Sequence, residues 1–590
     1  MNSVRQLIRC FLAVELTLIT SISSLHARQP PPVDGTVYQP LENAGGFASA
    51  RIDASYRMPE YEVGWSGNFA INPGFEEDFV NVNGEGHVLS FKGDWYYNQK
   101  DLLPDYWSFS KDAWTPQRKG WLWSAAVPHS GRHLLKLAEG VSISQSYQRA
   151  TFHEGGSAWS PGNRKNIPIT AEELPRFNTP WRARVWCRGG GTLTLGGTLS
   201  PAGLPAGNGV TATAPVGANW QLLRLELSAE KAPAPNQSVL VALTGPGEFD
   251  DLVVTEKFTA APNLLPNASF ERLGKDGYPV GFSQQKKFRA IGPTYYVWTD
   301  WNHAFAANRG PVVSDEMVVR SGRRSLRFDV YPGDEKLVES DLIPLNQEAS
   351  RVIEVGAWVR ADGIKLIDIR CVNEEGIYMP GYRPRRPEYR HGGTFTFGNG
   401  TFGWRYVRKF FSVPQGKPVK GLRVRLCARG FNGHTLDDFG RRSQLLRVGT
   451  VWWDDLRVTE RTSTVAGLAA RGVKIPTPHR PGVGPLVDAA FDFGQRLVGE
   501  NLLRYSFLNR GPAGIYQLRL TTTLADGQPR MTESKSLRVA TGQRVDLVAG
   551  YAIDRLCDDV ETQGKFSVEL LRDKKVTQAG RYALNTWTDV

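Results

Sequence analysis

The chain contains the same ordered set of five short sequence motifs twice. Each set opens with Asn-x-x-x-Asn-x-x-Phe-Glu and closes with an aromatic-Asp-Asp-Leu segment. Unrelated stretches rarely share five motifs in one order, so a duplicated domain is predicted and most of the fold must come from two similar units. The paired motifs are Asn68–Glu76 with Asn263–Glu271, Ser130–Leu135 with Ser321–Leu326, Val185–Arg188 with Ala357–Arg360, Trp220 with Trp404, and Phe249–Glu256 with Trp453–Glu460.

Inside both copies the dominant sequence period is two residues. Gln221–Leu227 and Gly421–Cys427 alternate between apolar and polar side chains, which is typical of strands with one face on a core. The chain has 61 Gly and 37 Pro, enough turn formers to separate many short strands, and it lacks long helical periods. An all-β protein is therefore predicted, with the tryptophans of the repeated motifs (Trp186, Trp220, Trp358 and Trp404) in the sandwich cores.

The length of 590 residues is too great for one hydrophobic core and predicts several domains. The last part of the chain has the alternating strand pattern of an immunoglobulin-like or fibronectin-like sandwich, for which the role of a spacer or docking element is predicted. The predicted organisation is a signal peptide at 1–27, an N-terminal linker at 28–65, the first repeat at 66–258, the second repeat at 262–461, a Pro/Gly-rich linker at 462–485 and the immunoglobulin-like domain at 486–590.

The first residues have the pattern of a secretion signal. Arg5 and Arg9 precede a mostly apolar run from Cys10 to Ile22, and Ala27 offers a cleavage position. The protein is therefore predicted to be secreted, periplasmic or at the cell surface, with an N-terminal membrane anchor as the alternative. No second apolar run is long enough to span a bilayer, so no transmembrane segment is predicted in the mature chain.

The formal net charge is +12. A solvated basic surface explains such a charge, and attraction to a polyanion, such as a uronic or sulfated glycan, is the functional alternative. The most basic stretch, from Arg383 to His391, is typical of one loop and lacks a nucleic-acid-binding motif, so no nucleic-acid partner is predicted. Cys371 and Cys427 both fall in the second repeat, where two buried free thiols are favoured over a disulfide between neighbouring strands.

The five motifs together resemble those of bacterial jelly-roll carbohydrate-binding modules, the class of cellulose- and xylan-binding modules with galactose-binding-like folds. The resemblance covers residues 66–258 and 262–461. It implies two tandem jelly-roll β-sandwiches followed by an immunoglobulin-like sandwich. It also implies a non-catalytic protein that binds a polysaccharide or glycoconjugate, with any partner enzyme unknown.

Modules of this family often carry a structural calcium ion between the Glu of the first motif and an Asp of the last. The matching residues are Glu76 with Asp250 or Asp251 in the first copy and Glu271 with Asp454 or Asp455 in the second. Adjacent strand residues face opposite sides, so one Asp of each pair is expected to ligate, and Asp251 and Asp455 are the predicted ligands. Carboxylate oxygens are ligands that calcium prefers, and one ion per module would join the first and last strands. The alternative is that these carboxylates accept hydrogen bonds from turns without a metal.

Aromatic clusters lie between the first and second motifs of both copies, and they are the predicted sugar-binding residues. Flat aromatic side chains can pack on a pyranose ring, while neighbouring amides and carboxylates bond its hydroxyls. The alternative is that the aromatic rings pack under a loop. The candidates are Trp95, Tyr97 and Asn98 in the first copy, and Trp298, Asp300, Trp301 and Asn302 in the second.

Two other functional classes stay open from the sequence. No nucleophile, metal-protease or phosphate-loop motif is present, so no catalytic residue is predicted. Jelly-roll enzymes, however, spread their sites over several strands, so a glycan hydrolase or lyase is one alternative. A structural cell-surface protein, with both aromatic clusters buried, is the other.

Overall fold

The structure is a computed structural model. It describes residues 64–70, 73–75, 108–109, 121–124, 127–129, 134–148, 153–154, 165–166, 179–196, 198–199, 205–206, 209–232, 238–257, 261–284, 312–331, 335–347, 351–364, 366–376, 381–382, 400–413, 419–430, 435–436, 442–443, 448–461, 463–477, 484–492, 499–523, 527–553 and 564–584.

The first repeat forms a sandwich of two five-stranded antiparallel sheets. Its strands are β1 (Ser108–Phe109), β2 (Trp121–Ser124), β3 (Leu134–Leu137), β4 (Ser142–Gln148), β5 (His153–Glu154), β6 (Lys165–Asn166), β7 (Trp181–Arg188), β8 (Thr192–Gly196), β9 (Thr198–Leu199), β10 (Pro205–Ala206), β11 (Val210–Thr213), β12 (Gln221–Leu227), β13 (Ser238–Thr244) and β14 (Gly247–Glu256). The sheet orders are β1-β4-β13-β8-β11 and β12-β7-β14-β3-β2, with β5-β6 and β9-β10 as separate pairs.

The second repeat forms a second sandwich with longer strands, followed by one short helix, α1 (Val465–Ala470). Its strands are β15 (Phe282–Gln284), β16 (Val312–Asp315), β17 (Ser325–Val330), β18 (Glu335–Ser340), β19 (Ile343–Gln347), β20 (Arg351–Ile364), β21 (Leu366–Asn373), β22 (Gly381–Tyr382), β23 (Gly400–Val413), β24 (Val419–Arg429), β25 (Thr435–Leu436), β26 (Arg442–Ser443) and β27 (Gly449–Glu460). One sheet has the order β16-β17-β27-β20-β23-β22. In the second sheet, β24 pairs with β21 along one edge. Along its other edge β24 pairs first with β19 and then with β18, and β15 is the edge strand beside β18.

The two sandwiches share one strand order. The series β1-β4-β13-β8 corresponds to β15-β18-β24-β21, and β12-β7-β14-β3-β2 corresponds to β23-β20-β27-β17-β16. The limits of the individual domains stay predictions.

The repeated Asn of the opening motif explains part of this likeness. Asn68 donates to Leu252 O at 2.9 Å, and its Oδ1 accepts Val254 N–H at 2.8 Å. Asn263 makes the same two bonds, to Leu456 O at 2.9 Å and from Val458 N at 2.9 Å. Each Asn thus joins the start of its sandwich to the last strand and satisfies backbone groups that would otherwise be buried without partners.

The third sandwich has a three-stranded sheet, β28-β29-β33, and a second sheet in the order β31-β30-β34-β35 with β32 beside β30. This arrangement suits an immunoglobulin-like sandwich. Its strands are β28 (Leu486–Asp492), β29 (Gly499–Asn509), β30 (Gly514–Thr523), β31 (Pro529–Glu533), β32 (Leu537–Val539), β33 (Arg544–Ile553), β34 (Gly564–Arg572) and β35 (Lys575–Leu584).

Each sandwich has its own hydrophobic core. Trp181, Val185 and Phe249 are fully buried in the first core, and Phe328 and Trp453 in the second. Burial of a side chain of this size contributes roughly 1.5–3 kcal/mol. The predicted all-β class, with sandwiches as its building units, is confirmed. No helix in the described ranges is both long and apolar enough to cross a membrane.

The predicted core positions of the motif tryptophans are found only in part: Trp358 is buried, at 6% exposed, whereas Trp186, Trp220 and Trp404 are only partly buried. Val185 and Cys187 point into the first core, so alternation along β7 places Trp186 between them on the opposite face. His129 stacks on Trp186 there, with ring centroids 4.0 Å apart. In the second sandwich the guanidinium of Arg320 covers Trp358, 3.7 Å from the ring centroid.

The third sandwich docks on this outward face of the second. Val319 N donates to Ala489 O at 3.2 Å, and Ala489 N donates back to Val319 O at 2.9 Å. Trp404 Nε1 donates to the same Ala489 carbonyl at 3.3 Å. Met317, Val318 and Val319 belong to the core of the third sandwich, so this domain is completed by residues of the second repeat.

A buried ion-pair cluster, here called the inter-sandwich cluster, joins the first and second sandwiches. It consists of Glu256 of β14, Glu354 of β20, Arg408 of β23 and Arg461. The Glu256 carboxylate accepts bonds from Arg408 and, at 2.6 Å, from Arg461 Nη2, while Arg461 Nη1 donates to Glu354 at 2.9 Å. All four side chains are at most 6% exposed.

Replacement of Glu256 by Ala should destabilise the protein strongly, because two buried guanidiniums would lose a shared carboxylate. Breaking a buried pair in this way costs about 3–5 kcal/mol. The urea midpoint of the unfolding transition, followed by tryptophan fluorescence, should fall accordingly. Glu226→Ala is the control, since Glu226 forms an exposed pair with Arg182 at 3.1 Å and should cost less than about 1 kcal/mol. Equal midpoints for the two variants would contradict the role given to the cluster.

Candidate functional site

The predicted aromatic clusters lie outside the described residues. This applies to Trp95, Tyr97, Asn98, Trp298, Asp300, Trp301 and Asn302, and also to Glu76. In chain order the second cluster follows β15 and the first precedes β1, and these are corresponding edge strands. Both clusters therefore stay predictions, and the sheets that contain β15 and β1 are the place to look for a site.

In the second sandwich, the sheet that contains β15, β18, β24 and β21 has a row of charged side chains on its outer face. Val424, Leu426 and Ala428 of β24 point into the core, so the residues between them point outward. We call this surface the basic face. Its charged members are Glu335 and Glu339 of β18, Asp368 and Arg370 of β21, and Arg423, Arg425 and Arg429 of β24.

Carboxylates and guanidiniums alternate across the basic face. Glu339 lies between Arg425 Nε at 2.5 Å and Arg423 Nε at 3.9 Å. Glu335 lies between Arg370 Nη1 at 3.1 Å and Arg429 Nη2 at 3.5 Å. Each of these carboxylates is thus shared by two arginines, which fixes planar donor and acceptor groups in one array.

A buried lysine supports the array from the other sheet. Lys409 of β23 places Nζ 3.0 Å from Asp368 Oδ1 and donates to Ile369 O at 2.6 Å. Asp368 also meets Arg370 Nε at 3.3 Å. The lysine and the aspartate are each 5% exposed, so this pair holds β21 in place while the arginines reach solvent.

Cys427 lies on the same face, next to Asp368 in the strand pairing. Burial raises the pKa of Cys427 to about 12, so the thiol is protonated at neutral pH and is a poor nucleophile. Cys371 pairs with Val424 and lies in the core. The two strands are neighbours, yet the cysteines are buried free thiols, as the favoured interpretation predicted.

The corresponding face of the first sandwich is chemically different, and we call it the hydroxyl face. Ser142 bonds Thr244 at 2.8 Å, and Thr192 bonds Thr213 at 2.9 Å. The strand register aligns these four residues in one row across β4, β13, β8 and β11. The outward residues described on these four strands include no charged residue.

The motif carboxylates of the second sandwich converge on the Ser-Gly turn. Glu271 Oε1 accepts the N–H groups of Arg323 and Arg324 at 2.8 and 3.2 Å. Asp455 Oδ2 accepts the Ser321 hydroxyl at 2.7 Å. Burial, together with the nearby charge of Asp455, raises the pKa of Asp454 well above its ordinary value.

In these contacts the carboxylates of Glu271 and Asp455 accept hydrogen bonds from the Ser-Gly turn, which is the arrangement expected if no metal is bound. Across the described part of the chain, no three or more His, Cys, Asp or Glu side chains are grouped so as to hold a metal ion. In the first sandwich, Asp251 Oδ2 lies 2.7 Å from His129 Nδ1. The two calcium ions stay a prediction.

Sequence reasoning missed the basic face. The alternating segment Gly421–Cys427 contains Arg423 and Arg425, and by itself it predicts a strand. Arginines at every second position of a strand share one face, and this was the available signal. Their partners on β18 and β21 could not be identified without the strand pairing.

Comparisons with known proteins give weak similarity. No protein-family model matches the chain, and no curated protein matches it. Among solved structures, the tandem CBM22-1–CBM22-2 domain of Xyn10C from Paenibacillus barcinonensis is 12% identical, with 60% of this chain and 96% of that chain covered and a TM-score of 0.17. The module TmCBM61, solved with β-1,4-galactotriose, is 15% identical, with 32% and 100% covered and a TM-score of 0.18.

A putative β-galactosidase from Bacteroides fragilis is 13% identical, with 46% of this chain and 34% of that chain covered and a TM-score of 0.17. TM-scores this low carry no argument about ligand or activity. The jelly-roll carbohydrate-binding modules therefore remain a family that the chain resembles.

The calcium prediction is tested by thermal unfolding in Ca²⁺ and in EDTA. If Glu271 and Asp455 ligate calcium, chelation should lower the Tm of the wild type, because an ion bound only to the folded state stabilises it. Glu271→Gln should then show a smaller fall in Tm on chelation, since only the ion predicted for the first copy remains to be removed. Asp276→Asn is the control, an exposed carboxylate of the same sandwich, and should respond to EDTA as the wild type does. A wild-type Tm that is the same in both buffers would refute calcium binding.

Proposed function

We propose that this is a secreted, periplasmic or cell-surface protein that binds a polysaccharide or glycoconjugate without cleaving it. The observation that supports this most is the basic face, where planar guanidiniums and carboxylates are held side by side. The most accessible of these groups are the guanidiniums of Arg423 and Arg429, 34% and 39% exposed, and guanidiniums can donate paired hydrogen bonds to sugar oxygens. Their fixed ion pairs reduce the ordering cost of binding.

The predicted aromatic clusters would supply the apolar part of such a site. Trp298 and Trp301 follow β15, the edge strand of the sheet that bears the basic face. In the proposal their rings pack against sugar rings, while Asp300 and Asn302 bond hydroxyls. In the proposal the same role in the first copy falls to Trp95, Tyr97 and Asn98, which precede the corresponding strand β1 in the chain.

A binding role suits the carboxylates of the basic face better than catalysis. A glycosidase needs a pair of carboxyl groups, of which one keeps its proton in an apolar environment to act as general acid. Glu335, Glu339 and Asp368 each lie within 3.5 Å of a guanidinium or ammonium nitrogen. The third sandwich is assigned no ligand in this proposal, since part of its surface is occupied by the second.

The test is a pull-down of the signal-free protein on insoluble polysaccharides, with analysis of the supernatant for released sugars. Retention without soluble product is expected. Release of oligosaccharides would show a glycan-cleaving enzyme, and absence of retention on every glycan would favour a structural cell-surface protein.

Substitution of the aromatic residues tests their assignment separately. The double variant Trp298→Ala, Trp301→Ala should lose at least about tenfold in affinity, since stacking and burial of large aromatic side chains dominate such contacts. Met531→Ala is the control, because Met531 is an exposed apolar residue of the third sandwich, 64% accessible. Unchanged affinity of the double variant, with the wild type retained on the glycan, would refute the role of this cluster.

A further inference from the structure

We propose that the third sandwich and the second repeat form one cooperative folding unit, in which the third sandwich is a fixed cap on the second repeat and not a spacer. Whether the protein binds a glycan does not affect this proposal. Four features support it: a shared apolar core, a strand bulge that the second repeat completes, a buried carboxylate that bonds both sandwiches, and a close contact where the chain enters the third sandwich.

The apolar core of the third sandwich includes residues of the second repeat. Residues 317–319 are fully buried and Trp452 is 1% exposed, and all of them pack in one core with Phe491 and Tyr505 of the third sandwich. Domains that move relative to each other usually keep separate cores and a more polar interface. Separation of these two sandwiches would expose large apolar side chains to water, so it is costly.

The first strand of the third sandwich is irregular where it meets the second repeat. The pairing of β28 with β29 shifts its register at Asp488 and Ala489. These two residues bond the second repeat instead: Ala489 exchanges two backbone hydrogen bonds with Val319, and Asp488 N donates to Arg320 O at 3.1 Å. A bulge redirects backbone groups away from the regular ladder, and here the second repeat supplies their partners.

The buried carboxylate of Asp315, at the end of β16, bonds groups from both sandwiches. Its Oδ2 accepts Arg327 Nη1 and Trp452 Nε1 of the second repeat, both at 3.0 Å. Its Oδ1 accepts the hydroxyl of Tyr582 of the third sandwich at 2.9 Å, and also the N–H groups of residues 317 and 318. Asp315 is 3% exposed, and a carboxylate removed from water depends on such bonds. The two sandwiches therefore satisfy one buried charge together.

Two tyrosines of the third sandwich reach into the second repeat. Tyr582 donates to Asp315, and the guanidinium of Arg327 lies 4.6 Å from its ring centroid. Tyr505 donates to Met317 O at 2.6 Å. Burial raises the pKa of both tyrosines well above the ordinary value, so both hydroxyls keep their protons and remain donors at neutral pH.

The chain enters the third sandwich in direct contact with the Ser-Gly turn of the second repeat. A side-chain carbon added at Gly484 would lie 1.8 Å from Gly322 O, so only glycine fits at this point without a shift of the backbone. A spacer domain normally follows a flexible connection that lets it move. Here the entry point itself is packed against the second repeat, which fixes the position of the third sandwich.

The docked sandwich limits where the second repeat can bind a ligand. Trp404 Nε1 donates to Ala489 O at 3.3 Å, and Trp452 lies in the shared core. The part of the sheet that bears these two residues is therefore occupied, and a ligand must contact other surfaces of the second repeat. Because the two sandwiches unfold together in the proposal, such a ligand would stabilise the third sandwich as well.

The experiment is hydrogen–deuterium exchange of the full signal-free chain, read by mass spectrometry on peptides from each sandwich. The test variant is Val568→Ala, which removes two methyl groups from the third sandwich at a fully buried position of β34. A core truncation of this kind should speed the slowest exchange in β34 by about tenfold or more. In one cooperative unit, the slowest amides of β27 in the second repeat should accelerate by the same factor.

The reciprocal variant is Val451→Ala, which truncates a fully buried side chain in the core of the second repeat. It should accelerate exchange in β34 as much as in β27. The matched control is Val576→Ala, the same chemical change at a position of the third sandwich that is 49% exposed, and it should leave both strands unchanged. Tyr582→Phe removes one hydroxyl from the bonds of Asp315 and should accelerate exchange in both strands.

The outcomes separate this proposal from the proposed function. Acceleration confined to β34 in Val568→Ala, or to β27 in Val451→Ala, would show that the two sandwiches unfold independently and would overturn the cooperative unit. Unchanged exchange in Tyr582→Phe would reject the role given to Asp315. Retention on a glycan is measured in a different assay, so neither result depends on the other.

Discussion

The inter-sandwich cluster is the interaction on which the arrangement of the first two sandwiches depends. Four charged side chains are removed from water there, and each must be matched because an unpaired buried charge costs several kcal/mol. Glu256 ends the last strand of the first sandwich, and Arg461 directly follows the last strand of the second. The cluster therefore joins the ends of β14 and β27, the last strands of the two sandwiches, through residues 205 positions apart in the chain. The other sheet of each sandwich does not take part in it.

The sequence was sufficient for the fold class and for part of its internal logic. A sequence period of two predicts strands because successive side chains of a strand point to opposite faces of the sheet. The repeated Asn68 and Asn263 make the same contacts in both copies. The basic face and the inter-sandwich cluster could not be predicted, since their partners are far apart in sequence and meet only when the strand register is set. Trp186 and Trp404 were misassigned for a related reason: aromatic side chains suit a core and an outer contact equally, and only the register of β7 and β23 shows which face each takes.

Divergence between the copies is concentrated on surfaces that the fold does not need. The core positions and the Asn contacts repeat, whereas the outer face changes from hydroxyl groups to an arginine-carboxylate array. Substitution of an outward strand residue changes recognition without creating a cavity, while substitution of an inward one costs stability. Outward strand positions of a duplicated sandwich can therefore diverge while its core is kept.

Differences between aligned residues of the two copies favour docking of the third sandwich on the second, where the described residues show its contacts. The Ser-Gly motif aligns Val127-Pro128-His129 with Val318-Val319-Arg320. Val319 donates its N–H to Ala489 of the third sandwich, whereas Pro128 has no N–H to give, and proline is a common means of blocking strand addition. Val318 is fully buried in the shared core, but Val127 is 73% exposed. Two further differences act in the same direction: Arg320 pairs with Asp488 of the third sandwich, while His129 pairs with Asp251 of its own sandwich. At these aligned positions, therefore, Pro128 lacks the N–H that Val319 donates, and His129 is engaged within its own sandwich while Arg320 reaches the third.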